Sequence, residues 1–408
     1  MEMTSRPDTA SGHYAAPDSG VFGLALRTGL LSLITLGIYR FWAKTRLRKY
    51  FWSNTRIGND GFEYTGTGLE KFLGFLVAVV VLAIYLAAVQ LILFQFGLFF
   101  VFNPQTQAEV LMQLAVVYAS LFALAPLLLF AQYRSRRYKL ARTRFRGIRF
   151  GMEKAAGGYV LRGIGYLLAT ILSLGLLWPL MTYKLEAWMT NRSWYGDTKF
   201  TQGGRWAAMY GPYKHVLIGV VVMIAGIVAG AMTQSSTLIG VSVFVGYLWL
   251  FFGFLNYSVQ GFGYLTRTKR LGADITFGAN PRTGTVLGRV VLGYLLIGIL
   301  AAAVFFIGAA VFGGVFYAAM GGSLESGELQ SQGSLAVAGI LLAVAYLVFL
   351  AFVGAMVLAF ITEPVIKHYV STITVQNVAA LDVIRQRVTD KGADAEGFAD
   401  ALDWGGAI

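Results

Sequence analysis

Few residues in this chain could carry out covalent chemistry. Three histidines, His13, His215 and His368, and no cysteine occur in 408 residues. A structural or catalytic metal needs several imidazole, thiolate or carboxylate ligands converging on one point. No two of these histidines stand at ligand spacing, so no metal site is expected, and no disulfide. Asp8, Asp18 and Asp60 stand apart in polar stretches and read as solvated acids. Gly66-Thr67-Gly68 lacks the lysine and the strand-to-helix setting of a phosphate-binding loop. With no acid–base pair in sight, the chain is expected to be neither an enzyme nor a cofactor carrier.

The conspicuous polar feature is cationic. Lys44, Arg46, Arg48 and Lys49 crowd among Trp42, Tyr50 and Trp52, between two apolar stretches. A net charge of +13 would suggest nucleic acid in a soluble protein. Here 57% of residues are hydrophobic and 13% charged, and mean hydropathy is +0.64. That composition points to a membrane, with basic loops facing anionic lipid, and to no nucleic-acid partner. Phe41–Trp52 is expected to skim the membrane, its rings at headgroup depth and its four cations on lipid phosphates. The same cluster also reads as a simple topology anchor.

The elements around these residues are read from hydropathy. A bilayer span needs roughly 20 apolar residues. Phe72–Phe102, Val110–Gln132, His215–Met232, Leu238–Tyr257, Val286–Met320 and Leu335–Ile361 qualify. Asn103–Glu109, Thr233–Thr237 and Gly321–Ser334 contain no Lys or Arg, whereas the remaining connections are basic. All basic connections share one side only if two further apolar stretches, 22–42 and 159–181, enter the membrane without crossing it. These two stretches resemble each other: Ser32–Gly37 parallels Thr170–Gly175, and each follows a Leu-Arg pair, at Arg27 and Arg162. An arginine is costly at the bilayer centre but can snorkel at its edge. Six transmembrane helices with two re-entrant or interfacial segments follow, with both termini cytoplasmic. Gly226 and Gly230, four residues apart, suit close helix packing.

A short motif recurs after several apolar stretches. Asn54, Thr55, Arg56 and Gly58 precede Phe62 and Tyr64; Thr143 and Arg144 precede Phe150; Asn191 and Arg192 precede Phe200; Arg270 and Gly272 precede Phe277. A weaker copy is Thr372–Val375. Alternation around a glycine predicts short strand pairs over Phe62–Tyr64, Ile148–Phe150, Thr198–Phe200 and Ile275–Phe277. Asn59-Asp60-Gly61 supplies turn residues for the first. The expected fold is thus an all-α polytopic membrane protein with small repeated β elements on the cytoplasmic face. Residues 1–20 read as a polar tail without a signal peptide. Residues 21–375 read as the membrane domain, in units near 22–102, 109–156, 157–233, 237–320 and 335–375. Residues 376–408 read as a cytoplasmic tail.

Thr35-Leu36-Gly37-Ile38-Tyr39, Trp42-Ala43-Lys44, Arg48-Lys49-Tyr50-Phe51, Asn54-Thr55-Arg56 and Phe62–Gly68 resemble the hallmark of the YjgN-like bacterial inner-membrane proteins, a family of unknown function. Glu396–Asp403 is similar to that family's usual ending. The resemblance implies a multi-pass protein of the bacterial inner membrane, and implies neither substrate nor catalytic residues. Two classes of function fit. One is a transporter, channel or lipid handler for neutral or lipid-like solutes, since the spans hold few ionisable groups. The other is a membrane scaffold or envelope-homeostasis protein. Its basic platform and acidic tail, Asp390–Asp403, would dock a protein partner or a second copy.

Overall fold

The computed structural model describes residues 8–17, 20–326 and 332–387. The acidic tail, the 396–403 ending and part of Gly321–Ser334 lie outside them. Ten short strands run antiparallel, each paired with two neighbours, and close into a barrel. They are β1 (Thr9–Tyr14), β2 (Thr55–Ile57), β3 (Asp60–Tyr64), β4 (Thr143–Phe145), β5 (Ile148–Met152), β6 (Ser193–Tyr195), β7 (Thr198–Gln202), β8 (Lys269–Leu271), β9 (Ile275–Ala279) and β10 (Ile373–Gln376). Consecutive strands form four hairpins, and β10 returns to pair with β1, Val375 facing Ala10. Three hairpins turn in two residues, Gly58-Asn59, Arg146-Gly147 and Gly196-Asp197; the fourth turns at Gly272–Asp274. Each of the four glycines has φ between +54° and +77°, a region that penalises a Cβ.

The barrel overturns the all-α expectation. Three- and five-residue strands leave faint traces in a sequence, and an isolated hairpin is barely stable. In a ring, every strand gains two neighbours and no edge stays open. The first turn falls at Gly58-Asn59, so Asp60 and Gly61 belong to β3. Both supposed tails contribute. Thr9–Tyr14 alternates exposed and covered residues as β1, and Val378–Leu381 forms a 3-10 turn beneath the barrel.

Helices leave the barrel and return to it in pairs. The pairs are α1 (Phe22–Ile34) with α2 (Arg40–Asn54), α3 (Gly68–Gln95) with α4 (Gln107–Ala141), α5 (Ala156–Leu172) with α6 (Trp178–Thr190), α7 (Tyr210–Met232) with α8 (Ser236–Arg267), and α9 (Thr283–Ser326) with α10 (Gln332–Val357). A π-helical turn, Leu358–Thr362, carries α10 into α11 (Glu363–Ser371), with Pro364 at its start. Among the described residues six helical segments are long and apolar enough to cross a bilayer; α1 and α5 are not. At 13 and 17 residues, α1 and α5 extend about 20 and 26 Å, short of a core about 30 Å thick. Their hairpins turn alike. Leu36 and Leu174 both have φ of 51°, and Thr35 Oγ1 accepts from Tyr39 N–H as Ser173 Oγ accepts from Leu177 N–H. The apical Leu36 and Leu174 are 94% and 93% exposed, as suits a tip immersed in lipid.

The α7–α8 hairpin is zipped by glycine. A Cβ at Gly226 would collide with Ser242, and one at Gly230 with Ile239. Within each spanning window, however, only 11–17% of residues are buried by protein. Neighbouring hairpins meet where a short one leans on a long one: α1 packs on α10, Gly29 against Ala351 and Phe22 edge-on to Phe352, and α5 packs on α4, Gly163 against Leu129 and Tyr159 beside Tyr133.

Candidate chamber at the barrel mouth

Alternate residues of the strands point inward. Ile57, Phe145, Tyr195, Leu271, Ile275 and Val375 form a buried cluster, with Phe62, Phe150, Phe200 and Phe277 packed against it. These four phenylalanines stack in sequence around the wall, centroids 6.4, 6.3 and 6.2 Å apart. The register explains the ladder. Phe62, Phe150, Phe200 and Phe277 each face the last residue of a three-residue strand, or its counterpart Val375 in β10. The fifth place belongs to Gly12, opposite Ile57. A Cβ there would strike the carbonyl of Val370, so the end of α11 occupies the space a fifth ring would need. Tyr195 donates to the Phe145 carbonyl at 3.0 Å. Burial pushes its phenol up to about 12, with Arg146 opposing and Asp60 reinforcing the shift.

The lumen holds a cavity of about 320 Å³. Val378, Leu381 and Ile384 pack into the same cluster and stop one end. Toward the helices lies a second cavity of about 390 Å³, lined by Phe51, Trp52, Arg136, Lys139, Leu140 and Ile366 among others. The two share Thr55, Phe62 and Phe150 in their walls and so adjoin, as two compartments of one chamber region.

Charge gathers at the junction. Glu186 takes a bidentate bond from Arg136, the longer arm 2.9 Å, with Lys269 at 3.3 Å and the Thr190 hydroxyl at 3.0 Å. Arg136 lines the upper cavity and Lys269 the lower. Burial acts to raise the Glu186 pKa, but Arg136 and Lys269 outweigh it and hold the carboxyl well below the usual carboxylate range. Burial lowers the Lys269 pKa by more than Glu186 restores, and Arg136 adds to the lowering. The arrangement offers an apolar space with cations at its waist, the chemistry of a site for a molecule with an apolar body and a negative end. Glu70 makes a similar bidentate bond to Arg142, at 3.0 and 3.1 Å, on the outer side.

Residues 11–255 match a family described as bacterial protein of unknown function (DUF898). The chain belongs to this family. A 69-residue stretch is 33% identical to the inner membrane protein YjgN of Salmonella typhimurium, covering 17% of this chain and 18% of that protein. No solved structure matches.

In this DUF898 member the residues singled out from sequence disperse. Arg46 and Lys49 are exposed on α2 and Lys44 is half-buried, but Arg48 is fully buried, 3.3 Å from the Tyr64 hydroxyl. Tyr50 donates to Glu363 at 2.7 Å, and the Trp52 indole donates to Thr143 at 2.9 Å. Arg48, Tyr50 and Trp52 thus join protein to protein. Trp42 packs beside Tyr39 and Phe72. Arg56 and Arg270 project outward from mid-strand and Arg144 is half-buried there, while Gly58 and Gly272 make turns. Asn54 accepts a backbone bond from Ala15, Asn191 caps the Gln202 N–H at 2.6 Å, and Arg192 lies over the Trp188 ring. Sequence reading missed the Arg136–Glu186–Lys269 group. One signal was present: Arg48, Arg136 and Glu186 each stand seven residues before a β-hairpin, a place held by Phe262 before β8 and by Ile366 before β10.

Proposed function

We propose that this DUF898 protein is a non-catalytic amphiphile-binding protein of the bacterial inner membrane, a lipid handler whose site is the chamber between membrane and barrel. The observation that carries this reading is the adjacency of the two apolar cavities at a charged waist. An acyl or isoprenoid body fits the phenylalanine-lined lumen, and an anionic end fits beside Arg136 and Lys139. The short hairpins favour entry from the side. Among the described residues α1 and α5 are the apolar helices too short to span, which leaves room above them for a lipid to approach. An aqueous channel is disfavoured by the stacked phenylalanines and by the stopped end of the lumen.

The inner membrane follows from the likeness to YjgN and the six apolar helices. A cytoplasmic barrel, with both chain ends on that side, follows from the distribution of Lys and Arg. The five units, a helix pair followed by a hairpin in four and by β10 in the fifth, are read as copies of one ancestral element. Any protein partner or second copy would meet the outward-facing basic strands.

The test is native mass spectrometry of the full chain released from membranes. A bound amphiphile should be retained by the natural protein and lost in Phe150→Trp, which fills the chamber where its two parts meet, with the melting temperature preserved. If nothing co-purifies and Phe150→Trp changes nothing, the scaffold reading takes its place.

A further inference from the structure

The five units place an aromatic or imidazole side chain five residues before the strand that follows each helix pair (β2, β4, β6, β8 and β10): Tyr50, Tyr138, Trp188, Tyr264 and His368. Four find a protein partner for the polar tip. Tyr50 donates to Glu363 at 2.7 Å and Tyr138 to Glu70 at 2.8 Å. Tyr264 accepts from the Arg205 N–H at 2.6 Å and donates to its carbonyl at 2.9 Å, and His368 accepts from the Arg282 N–H at 3.0 Å. Trp188 departs from this pattern, its buried indole N–H having no acceptor among the described residues.

The reason lies in the facing helix. Glu70 stands six residues beyond Tyr64; the residue six beyond the corresponding Met152 is Gly158. A glycine replaces the carboxylate, and a Cβ there would come within 2.8 Å of the Trp188 ring. In place of an acid, two cations converge. Arg162 and Arg192 lie over the Trp188 ring, 3.8 and 3.3 Å from its centroid. Arg162 bonds only the Gly158 carbonyl, at 3.1 Å, and Arg192 only the Trp188 carbonyl, at 3.3 Å, among the described residues. Each guanidinium has five donors, so most remain available, and among the described residues no carboxylate pairs with either charge.

We propose that Arg162, Arg192 and the Trp188 indole form a binding site for a phosphate group, distinct from the chamber. Guanidinium forks match phosphate oxygens in pairs, and the indole N–H supplies a further donor. The site lies where α5 leaves the barrel and α6 returns to it, at the rim of the membrane region. A lipid phosphodiester is the source favoured by this depth, since tryptophan and arginine both settle at the headgroup layer. A free phosphate shares the chemistry.

The full chain in phosphatidylcholine nanodiscs would be titrated with dioctanoyl phosphatidylglycerol, and separately with inorganic phosphate. Arg162→Gln with Arg192→Gln should weaken lipid binding about tenfold or more, each charge-assisted bond being worth about one such factor. Trp188→Phe keeps the stacked ring and loses the donor, so about two- to tenfold is expected. Arg56→Gln with Arg270→Gln removes the same charge from the barrel exterior and should leave binding unchanged. Lysine replacements at 162 and 192 guard against misfolding, and should retain the melting temperature and part of the affinity. Natural affinity in the double glutamine variant overturns the site. An equal loss in the Arg56/Arg270 control overturns it too, in favour of diffuse charge. Displacement of the lipid by inorganic phosphate assigns the site to a free anion.

Discussion

The barrel and the spanning helices hold their shapes by different means. In the barrel each strand has two partners, and among the described residues ten strands, none longer than six residues, share one core. In the membrane, 83–89% of the residues in each spanning window are not buried by protein. The apolar helices do not seek one another, because lipid tails solvate them as well as another helix would. Water is what drives burial, and the barrel is the part that meets water. The position of every helix pair is therefore set at its foot, where it enters and leaves a hairpin. The glycine-zipped α7–α8 pair departs from this with contact along its length, and the short helices α1 and α5 depart from it where they pack on α10 and α4.

The sharpest way to break this contrast is to disturb the foot of the helices. Glu186→Gln strips Arg136 and Lys269 of their shared counter-charge. The side chains retain 20–29% of their surface exposed, so the loss should fall below that for a sealed pair, about 2–4 kcal/mol. A melt in detergent would measure it. The pH dependence follows in sign. A depressed carboxyl contributes stability above its unfolded pKa and loses it as pH falls through the folded value. The natural protein should hold this contribution through neutral and mildly acidic pH and lose it below the usual carboxylate range, and Glu186→Gln should lack that acid limb.

A change at the far end of a helix pair should matter less to folding and more to placement. Leu36→Lys or Leu174→Lys puts a charge at the tip of a short hairpin. If the tips rest within lipid, each should cost about 1–3 kcal/mol, depending on depth. On this cysteine-free background, Leu36→Cys and Leu174→Cys should resist aqueous maleimide. Ready labelling would place the short hairpins outside the bilayer. The smallest effect is expected for Asp382→Asn, which loses an exposed ion pair with Arg146 at 2.8 Å. Less than about 1 kcal/mol should follow, read from the same melts. A larger loss would mean that the C-terminal segment supports the barrel more than its exposed contacts suggest.

The same contrast governs what the sequence reveals. Span hydropathy is strong because lipid contact demands it along about 20 residues. The four hairpins left alternation and a glycine. The short α1 and α5 hairpins were visible through charge and through the likeness of Ser32–Gly37 to Thr170–Gly175. The closing pair β1 and β10 left almost nothing: Thr, Ala, Ser and Gly in one strand met a partner more than 350 residues away. The burial of Arg48 was half legible. Phe41, Thr45 and Arg48 recur at helical spacing and are all buried, whereas Arg46 and Lys49 lie on the other face. The Arg136–Glu186–Lys269 group was hidden because its members come from α4, α6 and β8.

That β1 and β10 are neighbours has a consequence for biosynthesis. The first strand leaves the ribosome about 360 residues before the last, an interval on the order of 20–70 s at bacterial elongation speeds. Throughout it, β1 presents an unpaired edge beneath a growing array of inserted helices. Ring closure is thus a late event that reports a completed message, and a transcript broken before codon 373 yields an open, aggregation-prone crescent.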